Sequence, residues 1–310
     1  MADKQVYYGG QAVIEGVMIR GPSSMAIACR KPDGDIIVRD QPLGGVYTGP
    51  LRRIPLVRGI IVMWETLALG IRALVFSSNV AMGQEDNDIN SRALWVTAFA
   101  SMALVAVIFF AGPLLLADWL ESVVHSHLLV IVIEGAIRLA VIIGYMAGIG
   151  LLPDVRRIYA YHGAEHKSIH ALENGDPLEP SAVQRYPTAH VRCGTSFLLT
   201  VVVVSVFVFA AVGDPDLWIR ILSRVVLIPL IAAIAYEIIR FGGAFKTNPV
   251  TRVLMWPNLA LQSLTTRQPD DAQVEVALRA LKTVLAAEGR LEREAPDAAE
   301  ESIEAAPPLD

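Results

Sequence analysis

Thiols are scarce in this 310-residue chain, where Cys29 and Cys193 are the only cysteines. Both fall on segments read below as cytoplasmic, where thiols stay reduced, so disulfides are excluded as the device that holds the fold. Positive charge is not in excess either: 26 Lys and Arg stand against 31 Asp and Glu, a net charge of −5. Much of that balance comes from an Ala- and Pro-rich stretch at residues 290–310, which reads as a disordered acidic tail. Nothing in the pattern calls for nucleic acid as a partner. An apolar leader is missing too: residues 1–10 are polar, and the amino terminus is expected to remain in the cytoplasm. No internal repeat divides the chain.

Apolar residues are abundant. They make up 54% of the chain, and the mean hydropathy is +0.47, which reads as a mainly α, multi-pass membrane protein in contact with the lipid bilayer. Four apolar stretches, at 93–117, 128–152, 197–212 and 225–239, are read as a four-helix transmembrane bundle. The last two are near the lower limit for crossing about 30 Å of hydrocarbon. Residues 54–82 are also apolar, but Arg58, Glu65 and Arg72 recur at seven-residue intervals and form one polar stripe. That segment is read as an amphipathic helix lying on the membrane or packed against the bundle, in preference to a fifth span.

Loop charge gives the orientation. Lys and Arg crowd the segment before residue 93 and the loop at 154–196, whereas 118–127 has none, so that loop is placed outside. Arg220 and Arg224 in the second outer loop run against the rule. Both termini are expected in the cytoplasm of a bacterial plasma membrane.

The chain divides accordingly. Residues 1–53 read as a small β-rich cytoplasmic domain, with Pro32-Asp33-Gly34 turning a hairpin. Residues 54–92 are the amphipathic helix and a linker, 93–152 and 197–240 the two transmembrane hairpins, and 153–196 a His-rich loop. Residues 241–289 are expected to form cytoplasmic helices, one capped at Pro269-Asp270-Asp271. Within the loop, Pro153-Asp154 starts a helix and Asn174-Gly175 stops it.

That helix carries His162-Gly163-Ala164-Glu165-His166. Residues four apart lie about 40° apart in projection, so both imidazoles can converge on one ion. The order His-x-x-Glu-His matches the inverted zincin pattern, in which the glutamate acts on water. Downstream come His190 and Cys193, so four of the six histidines and one of the two cysteines lie between positions 162 and 193. His162, His166, His190 and Cys193 form a chemically sensible ligand set for a divalent metal. The soft thiolate favours zinc or iron over magnesium. Gly163 costs the helix about 1 kcal/mol relative to alanine, a position that permits close approach. Elsewhere, Glu134 with Arg138 and Glu237 with Arg240 read as ion pairs inside spans, and Glu15 with Arg20 as a local pair.

Residues 9–22 (GGQAVIEGVMIRGP), 161–167 (YHGAEHK), 190–199 (HVRCGTSFLL) and 264–271 (LTTRQPDD) closely resemble the DUF1385, or YqhQ-like, family of bacterial membrane proteins. The resemblance implies a membrane protein of the metal-dependent enzyme type, without a defined substrate or reaction. The expected function is a metal-dependent hydrolase with Glu165 as general base. The alternative is a non-catalytic scaffold for insertion or assembly of other membrane proteins, holding a structural metal.

Overall fold

A computed structural model describes residues 7–83, 126–213, 216–245 and 248–291, with scattered positions between 96 and 124. The span expected at 93–117, most of the outer loop at 118–127 and the tail beyond 291 lie outside the described residues. Four strands, β1 (Gly9–Val13), β2 (Gly16–Arg20), β3 (Ser24–Arg30) and β4 (Ile36–Pro42), pair antiparallel in chain order. The longer helices described are α1 (Val57–Ala81), α2 (His127–Ile149), α3 (Pro153–Asn174), α4 (Gly194–Val212), α5 (Leu217–Val226), α6 (Ile228–Ala244), α7 (Pro249–Thr265) and α8 (Asp271–Ala287).

Asp33 makes the expected β3–β4 turn, its Oδ1 accepting the Asp35 amide at 3.1 Å. Alternation along the strands then sends side chains to opposite faces. Val13, Met18, Met25, Ile27 and Cys29 pack with Leu69, Ala73 and Val80 of α1. Val17, Ile19, Ala26 and Ala28 pack with Tyr161, Ala164 and Ile169 of α3 and with Val274, Ala277, Leu281 and Val284 of α8. A sheet of this size has little core of its own, and covering both faces supplies one. Asp270 anchors α8: its side chain accepts the Gln273 amide at 2.8 Å while Gln273 Oε1 accepts the Asp270 amide at 3.1 Å.

By length and composition α1, α2 and α4 are each able to cross a membrane. Two of them match the expected spans at 128–152 and 197–212. The polar stripe of α1 turns inward. Arg58 pairs with Glu237 of α6, and Glu65, 3% exposed, meets Arg20 at 2.9 Å and Arg52 at 3.3 Å. The helix therefore holds Arg58 and Glu65 in ion pairs and leaves Ile60, Trp64 and Leu74 exposed. The fourth expected span breaks at Leu227, because Pro229 has no amide to donate and begins a new helix. The resulting α6 runs to Ala244 and has 17 residues, at the lower limit of what a crossing needs.

Ion pairing departs from the local expectation in two places and adds to it in a third. Glu15 pairs with Arg157 of α3 and accepts from Tyr161 Oη at 3.3 Å, while Arg20 goes to Glu65. Glu237 binds Arg58 and accepts the Leu56 amide at 3.1 Å. Glu134 does pair with Arg138, at 2.5 Å, but also takes Arg224 at 2.9 Å, so an arginine that broke the loop-charge rule is a buried partner. Glu15 and Glu237 each exchange a sequence neighbour for a tertiary partner, whereas Glu134 keeps its neighbour and adds a second arginine, which satisfies a carboxylate that burial would otherwise make costly.

Candidate metal centre

Helix α3 is built to its ends as its sequence specifies, with Pro153 in the first turn and Gly175 left-handed at φ 73° after the last. His162 and His166 lie one turn apart on it, with ring centroids 4.4 Å apart. His162 Nδ1 is 2.9 Å from the Thr265 carbonyl oxygen, and His166 Nδ1 is 2.5 Å from that of Thr188. A carbonyl only accepts, so each Nδ1 carries the proton. In the neutral ring that leaves the Nε2 lone pair free for a ligand, the arrangement in which metal-binding histidines are held by neighbouring groups.

Both lone pairs meet a sulfur. Cys193 caps α4, its Sγ accepts the Thr195 amide at 3.3 Å, and it lies 3.2 Å from His162 Nε2. Ligand atoms of His162, His166 and Cys193 all fall within 4.8 Å of one another. Tetrahedral bonds of about 2.0–2.3 Å place ligand atoms roughly 3.5 Å apart, so little closing is needed. His166 and Cys193 are buried and His162 is half-buried. Burial holds His166 below the usual imidazole range, with its hydrogen bond to Cys193 opposing. A neutral imidazole is the form that binds metal.

Two further segments position these groups. Residues 184–190 run beside α3 as a strap whose carbonyls are taken one after another: Lys167 Nζ donates to Gln184 O at 2.9 Å and to Tyr186 O at 2.6 Å, and His170 Nε2 to Ala189 O at 2.9 Å. On the other side, a Cβ on Gly163 would overlap the carbonyl oxygen of Arg267. Glycine there lets residues 265–267 come close enough for Thr265 O to hold His162. The close approach expected at this position is therefore to backbone.

Glu165 points to the sheet side of α3. It is 5% exposed, it accepts the Gly10 amide, and its Oε2 has no hydrogen-bond partner. Burial pushes its carboxyl up to about 7, with nearby His162 and the Gly10 amide pulling the other way. A Cβ on Gly10 would crowd the Glu165 carboxyl at 3.1 Å. The carboxyl is near His162 but is not one of the three converging groups.

His190 is also outside that trio. Its Nδ1 accepts the Arg192 amide at 3.3 Å, so its proton sits on Nε2, which faces Glu173 Oε1 at 3.2 Å. Burial holds it below the ordinary imidazole range, with Glu173 opposing. Its backbone is clamped by Gln262, whose Oε1 accepts the His190 amide at 2.8 Å and whose Nε2 donates to His190 O at 2.9 Å. Sequence reasoning missed Gln262, although Thr251, Asn258, Gln262 and Thr265 make a polar line on one face of an apolar helix, the available signal.

Residues 54–287 match the family model described as "Protein of unknown function (DUF1385)". The chain is 32% identical to "Uncharacterized protein YqhQ" of Bacillus subtilis over 304 residues, covering 92% of this chain and 94% of that protein. No solved structure matches. On a family match over most of its length and a relative aligned almost end to end, the chain belongs to the DUF1385 family.

Proposed function

We propose that this protein is a metal-dependent hydrolase of the bacterial plasma membrane, with its centre on the cytoplasmic side. The observation that carries the reading is the convergence of two Nε2 lone pairs and the Cys193 sulfur on one point. Two imidazoles and a thiolate suit zinc. When bound there, the ion supplies a Lewis acid to polarise the scissile group. The chain does the rest. Thr265 and Thr188 fix the two ring tautomers, the Thr195 amide orients the sulfur, and Glu165 takes the proton from the attacking water. Among the described residues three donors converge, and three leave one position of a tetrahedron open, as catalysis needs. A structural ion, as in the scaffold alternative, calls for a fourth donor. His190, the one expected from the sequence, has both ring nitrogens engaged.

The test is Glu165→Gln, which keeps the volume and removes the base. The variant is expected to retain about one zinc per chain and to fail to complement a deletion strain. Full complementation by a folded, metal-loaded variant would remove the catalytic role and favour the scaffold.

A further inference from the structure

Helix α7 is inside out relative to the helix that follows it. Its buried residues are Thr251, Met255, Asn258, Leu261, Gln262 and Thr265, four of them polar. Its outward face is apolar: Val253 is 73% exposed, Trp256 68%, and Val250 and Leu254 66% each. In α8 the order is the ordinary one, with Val274, Ala277, Leu278, Leu281 and Leu285 buried against the sheet. Two consecutive helices of one chain are thus built for different surroundings.

The polar face of α7 is not solvated. Gln262 Nε2 donates to Ser196 Oγ at 2.8 Å, Asn258 Nδ2 to Thr200 Oγ1 at 3.3 Å, and Thr265 Oγ1 to Thr195 Oγ1 at 3.4 Å. These partners stand on the first turns of α4, one of the helices able to cross a membrane, and α7 also packs on α2, another. Polar side chains bonded across helices, with apolar ones outward, are how helices associate in lipid. The outward face of α7 continues a surface that is already apolar, through Leu198, Val203 and Phe207 of α4 and Phe241 of α6. Its one charged residue, Arg252, lies in the first turn, where a long side chain can reach headgroups.

We infer that α7 is seated in the membrane, in the leaflet nearer the metal centre, with Val250, Val253, Leu254 and Trp256 against lipid acyl chains. On this inference the cytoplasmic placement expected for residues 241–289 is kept for α8 and given up for α7. Because Thr265 at the end of α7 holds His162, the seat of this helix in lipid and the geometry of the centre are joined through one hydrogen bond.

Lipid contact is measured on the full chain in phosphatidylcholine vesicles whose acyl chains carry bromine at mid-depth. Trp64, Trp95, Trp119 and Trp218 are replaced by Phe so that Trp256 is the sole tryptophan, excited selectively over the tyrosines. Its emission is expected to fall at least twofold relative to unbrominated lipid, with weak quenching by aqueous acrylamide. Strong acrylamide quenching without a bromine effect would overturn the inference in favour of water. Protection from both quenchers would overturn it in favour of a protein occupant, whether a second copy or the chain's own segment at 93–117. Should the four replacements prevent folding, a nitroxide on Val253→Cys decides. Collisions with oxygen are expected to exceed those with an aqueous nickel chelate, wild type carried through the same labelling being the blank, and the reverse ratio overturns the inference.

Discussion

A carboxyl with one bonded oxygen and one bare one, buried at Glu165, destabilises the metal-free fold whenever it is charged. Its folded value of about 7 lies above the ordinary 4.5, so between those limits the folded chain holds a proton that the unfolded chain has lost. Stability therefore falls as pH rises from about 4.5 through about 7. The cost at pH 8 is on the order of 3 kcal/mol, an upper figure. Glu165→Gln has no charge to bury. In metal-free protein it is expected to raise Tm at pH 8 and leave it unchanged at pH 4; an equal effect at both values would show that burial of the charge is not the cause. At this scale the sequence was informative about His162, His166 and Cys193, whose chemistry is written in their residue types. It could not show the carbonyls of Thr188 and Thr265 that set the tautomers, because a backbone acceptor has no letter of its own.

At the scale of elements, Gly163 shows why local propensity misleads. Alanine in a helix interior gains about 1 kcal/mol over glycine. Here its Cβ would overlap Arg267 O, and forcing backbone apart typically costs about 1–3 kcal/mol. The clash wins. Gly163→Ala is expected to lower Tm and, by moving Thr265 away from His162, to weaken metal binding by roughly 10–100-fold, the usual effect of losing a group that orients a ligand. Titration with a metal indicator checks this, and unchanged affinity would show that the 265–267 segment does not position the centre. Helix ends were legible for the same reason that α3 and α8 form where expected: proline, glycine and the Asp270 cap act within one turn. The stripe of α1 was visible as a pattern but not in its meaning, since Arg20 and Glu237 are far from it in the chain.

For the whole molecule, a sheet with helices on both faces is joined through α3 to helices whose outer surfaces are apolar. Composition announced the membrane. It could not announce which of the charged residues are buried partners, because Glu15 with Arg157 and Glu134 with Arg224 meet only after the chain has folded. Topology remains testable by labelling. With Asp176→Cys, placed just after α3, an impermeant thiol reagent is expected to react in broken cells and not in intact ones. Reaction in intact cells would put the centre on the outer side and remove the reducing environment assumed for Cys193.

The central claim is that His162, His166 and Cys193 bind one metal ion, and cobalt substitution tests it most directly. Cobalt reports its own ligands, through a thiolate charge-transfer band in the near ultraviolet and visible bands whose intensity marks four-coordination. The account predicts both in the purified full chain. Cys193→Ser should lose the charge-transfer band while His190→Ala keeps it, and His162→Ala with His166→Ala should lose cobalt altogether. Stoichiometric cobalt with an unchanged spectrum in the histidine double variant would contradict the account, because the ion would then lie elsewhere in the molecule.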